Sequence, residues 1–300
     1  MINKILFPSK FYKNDFIILK NIIPLKEVGL QEVVFLYVIE PELVVVPKTG
    51  QLLKDEIEEL KKLALAKFKE WSEYLERFNI KTKFYIFVGH PAEKILEVAE
   101  KEDVSLITIS YKKRRKFFKF FLGGLGSTTL TLLKVVYLPI IVFPYDFAEE
   151  KNIFSDILIA VDFSKNSENV INYVLNLKPL VKRVILVYVS QEDESTDYIE
   201  KVKSKLEEYK NILEKKEIEA QYCIYYGKVV EKILEAAKKH NVGLIAMGIT
   251  GKDEEEKRRF NFLFIGSTAQ KVVSLSDLPV LLIPPNREKL VLEITCQNLK

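Results

Sequence analysis

The chain contains the same series of motifs twice. Gly-Ser-Thr, followed by Leu-Pro and then by Pro, begins at Gly126 and again at Gly266, which lies 140 positions later. Upstream, Gly-x-x-x-Glu-Lys-Ile-Leu-Glu begins at Gly89 and again at Gly227. Because the motifs keep their order in both halves, the sequence predicts one structural unit that is used twice.

Each half alternates short apolar runs with amphipathic segments, the longest of which are 54–79 and 195–215. The apolar runs predict strands at 4–9, 32–38, 82–88, 104–110 and 139–143, and at 156–161, 183–189, 219–226, 242–247 and 279–283. Continuous runs rich in Val, Ile, Leu and Phe are typical of parallel strands that helices cover on both faces. The predicted fold class is therefore α/β, with two repeated doubly wound parallel-sheet domains of five strands each.

The polar stretch around 146–155 separates the halves, so we predict domains at 1–146 and 153–286 and a C-terminal tail at 287–300. A net charge of +4 is small for 300 residues and does not favour a nucleic-acid-binding protein. Two cysteines and two histidines argue against a disulfide framework, a zinc pattern or a histidine-based catalytic triad. No uncharged apolar run approaches the roughly 18 residues that span a bilayer. We expect a cytoplasmic protein.

A candidate phosphate site lies in the second half. Asp162, Gly248 and Gly251 fall at the carboxyl ends of predicted strands, where doubly wound sheets bind their ligands. Gly266 and the hydroxyl residues after it open a predicted helix, whose first N–H groups attract anions. Two interpretations stay open, because the same glycines also suit tight turns and helix–sheet packing, and Asp162 also suits a helix cap.

These motifs resemble those of the universal stress protein family, as a tandem two-domain member with the adenine nucleotide alpha hydrolase-like fold. The resemblance extends from about Ile2 to Pro284. It implies a stress-response protein that binds ATP or AMP, with or without Mg²⁺, in the second domain. By resemblance, adenine and ribose would be held by Asp162 and the main chain at Val189. The phosphates would be surrounded by Gly248, Gly251, Gly266, Ser267 and Thr268.

The sequence departs from the family pattern in both halves. Fourteen residues instead of nine separate Gly251 from Gly266, and they include four acidic residues followed by three basic ones, at 253–259. In the first half, three residues replace the aspartate and the two glycines: Lys10, Ser110 and Lys113. We therefore interpret the first domain as one with a degenerate nucleotide site.

The last strands of two domains pair across a two-fold axis in the resembling family. In this chain they would be 139–143 and 279–283, so we expect an intramolecular pseudo-dimer that either stays single or assembles further as a homodimer. The tail either adds an edge strand or wraps the partner domain.

A basic and aromatic run at 111–121 is the most unusual composition of the chain, with six positive and no negative charges. It suits a loop that covers the sheet edge or packs a dimer, an anionic membrane surface, or nucleic acid. The remaining candidates favour ordinary roles: His90 in a turn, His240 on a polar helix end, and Cys223 as a small hydrophobic residue of a strand.

Three functions remain open at this point. The first is a nucleotide-binding regulatory protein, in which hydrolysis of ATP would at most be slow because no phosphate-cradling Gly-x-x-x-x-Gly-Lys-Ser/Thr motif or water-positioning base is evident. The second is an interaction scaffold without a ligand. The third is a membrane-surface adaptor that acts through the run at 111–121.

Overall fold

The architecture is that of a computed structural model, which describes residues 2–44, 53–111, 127–190, 195–251 and 265–285. The helices and strands of the first half are β1 (Lys4–Pro8), α1 (Asp15–Ile22), a 3-10 helix (Ile23–Val28), β2 (Glu32–Ile39), α2 (Pro41–Val44), α3 (Lys54–Glu76), β3 (Lys81–Val88), α4 (Pro91–Lys101), β4 (Leu106–Tyr111), α5 (Ser127–Val135) and β5 (Ile140–Pro144). Those of the second half are β6 (Asp156–Ala160), α6 (Lys165–Leu175), β7 (Arg183–Ser190), α7 (Thr196–Glu214), β8 (Glu219–Tyr226), α8 (Val229–Lys239), β9 (Leu244–Gly248), α9 (Ser267–Leu275) and β10 (Val280–Ile283).

All ten strands form one sheet in the order β3-β2-β1-β4-β5-β10-β9-β6-β7-β8. Within each half every pairing is parallel, as predicted. The halves meet at β5 and β10, which are antiparallel, with Ile141 opposite Leu281. These two residues are 140 positions apart, so each is the other's counterpart in the repeat. A pseudo-two-fold axis therefore passes between them, and the expected pairing of the last strands is confirmed.

Two predicted strands begin two residues too early, and helix ends explain the error. Val104 and Val242 were predicted to be strand residues, but each precedes its strand by two residues and donates its N–H to a helix carbonyl five residues back, at Ala99 and Ala237 respectively. The residue before each valine has a positive φ, as the left-handed end of a helix requires. Both valines are buried, which is why an apolar run starts there. The apolar pattern therefore predicted the burial of both valines correctly but their hydrogen bonding incorrectly.

The core forms one layer on each face of the sheet. One layer packs α1, α3, α6 and α7 against the sheet, and it includes the fully buried Phe35, Phe68 and Phe154. The other packs α4, α5, α8 and α9, and it runs across the β5–β10 junction from Val142 to Leu282. Burial on both faces explains why the strands are continuous apolar runs. Among the described helices, none has the length and apolarity that a membrane crossing needs.

The predicted domain limits at 1–146 and 153–286 stay predictions, as does the cytoplasmic location. The tail at 287–300, the run at 112–121 and the charged segment at 253–259 lie outside the described residues, so the interpretations of these segments are not tested.

Candidate functional site

A cavity of about 390 Å³ lies beyond the carboxyl ends of β6, β7 and β9 in the second half. Parallel sheets present their ligands at this edge because the chain leaves each strand there for a helix on one face or the other. The cavity lining contains all seven residues that the sequence singled out: Asp162, Val189, Gly248, Gly251, Gly266, Ser267 and Thr268. The structure thus brings together positions that are more than 100 residues apart in sequence.

Asp162 presents one carboxylate oxygen to this cavity. Its Oδ1 accepts hydrogen bonds from the Ser167 hydroxyl at 2.6 Å and from the Ser164 main-chain N–H at 2.9 Å, which fix the side chain in place. Ser164, rather than Asp162, caps α6, because its hydroxyl accepts from the Ser167 N–H. Within the described part of the chain, no hydrogen bond reaches Oδ2. The open oxygen is therefore a hydrogen-bond acceptor that faces the cavity.

Val189 contributes its main chain, for a reason that lies in the strand lengths. In a parallel strand the N–H and C=O of one residue face the same neighbour, and successive residues alternate sides. The Val187 carbonyl accepts from Val161 on the β6 side, and the Ser190 carbonyl accepts from Gly227 on the β8 side. Val189 therefore faces β6, but β6 ends at Ala160. Its N–H and C=O extend past the end of the neighbouring strand towards the cavity.

The glycines differ in why they are glycines. A Cβ at Gly248 would lie 2.6 Å from Nδ2 of Asn166, a buried side chain that donates to the carbonyls of Thr250 and Ile283. A Cβ at Gly251 would lie 2.9 Å from Asp162 Oδ2, the open oxygen itself. At Gly266 a Cβ would meet only ordinary contacts, the nearest at 3.4 Å. Packing against Asn166 explains Gly248, whereas a side chain at Gly251 would crowd the open oxygen of Asp162.

The N-terminus of α9 supplies unpaired donors, although not all those expected. The Gly266 N–H donates to the Ile249 carbonyl at 2.8 Å, so it is already used inside the protein. The first helical hydrogen bond runs from Gln270 to the Gly266 carbonyl. Among the described residues, none accepts from the N–H groups of Ser267, Thr268 and Ala269, and a glycine cap offers no side-chain acceptor. These three groups, and not the Gly266 amide, are the donors that the start of α9 leaves open in the described structure.

Sequence reasoning missed two contributors to the site. Asn166 holds the strand ends together under Gly248, and Asn14 occupies the corresponding position 152 residues earlier. A repeated polar residue inside a helical pattern was the available signal. Tyr198, in the first turn of α7, also lines the cavity, and its hydroxyl lies 3.4 Å from that of Tyr188. No sequence motif pointed to it.

The first half arranges the same strand ends differently. Asp15 is 1% exposed, and it accepts from the Ser9 hydroxyl at 2.6 Å and from the Ser110 hydroxyl at 2.9 Å. Ser110 occupies the position of Gly248, so a hydroxyl stands where the second half has no side chain. Lys10, the counterpart of Asp162, extends to Glu40, with Nζ 2.5 Å from Oε1. Lys113 and Gly126 lie outside the described residues.

The histidines and the described cysteine lie elsewhere. His90 precedes α4 as its cap residue without a side-chain hydrogen bond. His240 follows α8, and its Nε2 lies 3.6 Å from Cys223 Sγ on the edge strand β8. Burial raises the pKa of the Cys223 thiol, and burial together with Lys239 and Arg183 lowers the pKa of His240. Both shifts favour the uncharged forms, so this pair is not a thiolate–imidazolium couple.

Comparison with known proteins gives the same two-part division. A model of the universal stress protein family matches the chain twice, at residues 1–144 and 154–284. A universal stress protein from Archaeoglobus fulgidus DSM 4304 is 23% identical, with a TM-score of 0.73, and the alignment covers 95% of this chain and 97% of that one. A functionally unknown protein from Pseudomonas aeruginosa PAO1 is 15% identical, with a TM-score of 0.63 and coverage of 95% and 93%. No curated protein matches the chain.

At these identities the two solved structures establish the shared fold, and the family is established by the model that matches both halves. The repeat, the parallel five-stranded halves and the antiparallel junction agree with this assignment. The chain belongs to the universal stress protein family, as a tandem two-domain member.

Proposed function

We propose that the second half binds an adenine nucleotide, ATP or AMP, and that its occupancy regulates this stress-response family member. The observation that carries the proposal is one cavity with three kinds of group that have no partner among the described residues. Its lining has an open carboxylate oxygen at Asp162, main-chain groups at Val189 that extend past the neighbouring strand, and free N–H groups at the start of α9. These groups are complementary to a ribose, an adenine edge and a phosphate, in that order.

The lining suits the order of parts in a nucleotide. Apolar side chains from β7, α8 and β9, including Val187, Ile233 and Met247, form a wall against which an adenine ring can lie. An N–H and a C=O at Val189 match the acceptor and donor on the edge of adenine. A diol finds an acceptor in Asp162 Oδ2. The N–H groups and hydroxyls of Ser267 and Thr268 then bind the phosphates, which the helix dipole favours.

The same lining supports binding more than fast catalysis. Of the described cavity residues, only Asp162, Tyr188 and Tyr198 can titrate, and none is a lysine, arginine or histidine. Among the described residues, only amides and hydroxyls are therefore placed to stabilise charge that develops on a transferring phosphoryl group. We infer that any hydrolysis of ATP is slow. If Mg²⁺ accompanies ATP, Asp162 is the one carboxylate of the described lining that can approach it.

The experiment is a calorimetric titration with ATP, AMP and adenosine, using two matched variants. Thr268→Val removes a hydroxyl from the start of α9, and Thr128→Val removes the counterpart 140 residues earlier, at the start of α5. We expect Thr268→Val to weaken ATP binding about ten-fold, the order of one hydrogen bond to a charged group, and to leave adenosine unchanged. Thr128→Val should change neither. If the unaltered protein binds no nucleotide at millimolar concentration, the proposal is wrong.

A second candidate function, an interaction scaffold without a ligand, also has one specific observation in its favour. Asn166 fills the space beside Gly248 and so explains that glycine without any ligand. Mass spectrometry of the protein purified under native conditions distinguishes the two functions. A co-purified adenylate supports nucleotide binding, whereas an empty protein that also fails the titration supports the scaffold. Membrane binding through 111–121 and assembly into homodimers remain hypotheses.

A further inference from the structure

One hydrogen bond joins the first half of the chain to the helix that begins the candidate site. The hydroxyl of Tyr111, the last residue of β4, donates to the carbonyl oxygen of Val273 in α9. The two residues are 162 positions apart and belong to different halves. Both are buried, Tyr111 at 2% exposure and Val273 at 1%, and they share the core layer that crosses the β5–β10 junction.

This bond caps the end of α9. The last four carbonyls of a helix have no N–H partner within that helix. Val273 is one of them, because α9 ends at Leu275 and Ser276 turns the chain into an extended conformation, with φ −64° and ψ 140°. A buried carbonyl without a donor destabilises the fold, so the Tyr111 hydroxyl supplies what the helix itself does not. The donor also carries the partial positive charge that a helix C-terminus favours.

The donor is held rigidly. The Tyr111 carbonyl accepts from the Tyr145 N–H at 2.9 Å, immediately after β5, and its ring is packed in the core. The repeat provides no equivalent in the other direction. The counterpart of Tyr111 in the second half is Ile249, which directly follows β9 as Tyr111 ends β4, and it has no side-chain donor. The link therefore runs one way, from the first half to the helix of the second-half cavity.

We propose that Tyr111 is a positioning residue for the nucleotide site: by anchoring the C-terminal end of α9, it fixes where the N–H groups of Ser267, Thr268 and Ala269 meet the phosphates. This inference rests on the proposed function of the cavity. A helix of nine residues is about 13 Å long. A small tilt about the C-terminal end of α9 therefore displaces its N-terminal end by a large part of an ångström. Anion binding by fixed N–H groups depends on that placement. The first half thus contributes to a site that it does not itself contain.

The test compares two Tyr→Phe variants by their affinities for ATP and for adenosine. Tyr111→Phe removes only the capping hydroxyl. Tyr173→Phe is the matched control. The Tyr173 hydroxyl, in the second half, is buried like that of Tyr111 but has no hydrogen-bond partner among the described residues. We expect Tyr111→Phe to weaken ATP binding about three- to ten-fold and adenosine binding less than two-fold, since only the phosphates contact α9. Tyr173→Phe should leave both affinities unchanged.

The ratio of the two dissociation constants separates positioning from mere stabilisation. A hydroxyl that only supports the fold would lower the melting temperature and leave the ratio unchanged, and this outcome overturns the inference. A second measurement needs no variant: the ¹³C chemical shift of the Val273 carbonyl in the unaltered protein should move when ATP binds and stay in place when adenosine binds. Equal shifts with both ligands would also overturn it. If the unaltered protein binds neither ligand, the proposed function fails first.

Discussion

Both halves place a carboxylate and a serine at the same strand end, but the carboxylate follows the strand in one half and begins the helix in the other. In the second half Asp162 follows β6, and Ser167 donates to it from the first turn of α6. In the first half Ser9 follows β1 and donates to Asp15 at the start of α1. Asp15 is the counterpart of Ser167, 152 positions later, whereas Ser9 corresponds to Val161, one residue before Asp162. The two pairs have the same O···O distance, 2.6 Å, and differ in which element carries the charge.

The placement of the carboxylate decides whether it meets solvent. Asp162 keeps Oδ2 in the cavity, next to the Cα of Gly251. Asp15 is buried, and the Ser110 hydroxyl closes over its other oxygen from the position that Gly248 has in the second half. The two halves therefore differ in whether this strand end leaves a carboxylate oxygen open, although the order of the strands is the same.

The largest expected effect breaks the second-half arrangement. A Cβ at Gly251 would lie 2.9 Å from Asp162 Oδ2, so Gly251→Val places a branched side chain against the open oxygen and into the cavity. We expect nucleotide affinity to fall at least about 100-fold, which is about 2.7 kcal/mol. Because the crowded atom belongs to a side chain at a cavity wall, the melting temperature should change little. Calorimetry and thermal unfolding measure both, and an affinity within three-fold of the unaltered protein would show that this glycine serves only the turn.

The next prediction is that replacing one aspartate mainly lowers stability, whereas replacing the other mainly lowers affinity for the ligand. Asp15→Ala leaves the buried Ser9 and Ser110 hydroxyls and the Tyr12 N–H without their acceptor, so we expect it to lower the free energy of unfolding by about 3 kcal/mol. Nucleotide affinity should stay within two-fold. Asp162→Ala should instead cost about 1 kcal/mol of stability, since water in the cavity can replace the lost acceptor, and should weaken adenosine binding about ten-fold.

Urea unfolding gives the free energy of unfolding of each variant, and adenosine titration gives its dissociation constant. The comparison between the halves would fail if Asp15→Ala reduced affinity as much as Asp162→Ala did. It would also fail if the two variants lost equal stability, because burial would then make no difference between the two carboxylates.

The sequence predicted the fold more completely than the site. Strands are set by burial on both faces, and burial is directly visible as runs such as 32–38 and 183–189. All ten predicted strands are present, and the largest errors, of two residues, lie where a buried valine closes a helix instead of joining the sheet. Hydrogen bonding at these positions depends on the sign of φ one residue earlier, which an apolar pattern does not encode.

The site depends on contacts that no motif records. The sequence indicated Gly248 and Gly266 as site residues. It did not indicate that Asn166 occupies the space beside Gly248, or that the Gly266 N–H already donates to the Ile249 carbonyl. Replacement of Asp162 by Lys10 suggested a degenerate first half. It did not suggest that Asp15 takes over the carboxylate role inside the core. Such details depend on which groups meet in the folded chain, as Asn166 meets Ile283 and Asp15 meets Ser110, and a single sequence carries little information about them.

The smallest expected effect sharpens the comparison through pH. Burial raises the pKa of Asp15, and its hydrogen bonds with Ser9, Ser110 and Tyr12 only partly offset that rise. A carboxyl whose pKa is higher in the folded protein than in the unfolded chain takes up its proton first in the folded protein. Acidification from neutral pH therefore makes the contribution of Asp15 to stability more favourable, down to the unfolded pKa near 3.8. Asp15→Asn removes this titration.

The measurement is the free energy of unfolding of the unaltered protein minus that of Asp15→Asn, from urea titrations between pH 7 and about 4, the unfolded-chain range for an aspartate. We expect this difference to grow by up to about 1 kcal/mol as the pH falls. Glu102, which is also buried in the first half, is the control of opposite sign. Burial opposes its ionisation, but Lys83, Tyr85 and Lys4 outweigh burial and lower its pKa to about 2.

The free energy of unfolding of the unaltered protein minus that of Glu102→Gln should shrink as the pH falls through about 4.5. The reason is that Glu102 takes up its proton first in the unfolded chain. Opposite slopes for two buried carboxyls of one domain would show that Asp15 lacks the cationic partners that Glu102 has, so that its charge is held only by hydroxyls and amides. If the two differences in the free energy of unfolding changed with pH in the same direction, Asp15 would not differ from Glu102 in this way. The claim that burial of Asp15 costs stability, and that the second half avoids this cost by leaving Asp162 open, would then also be wrong.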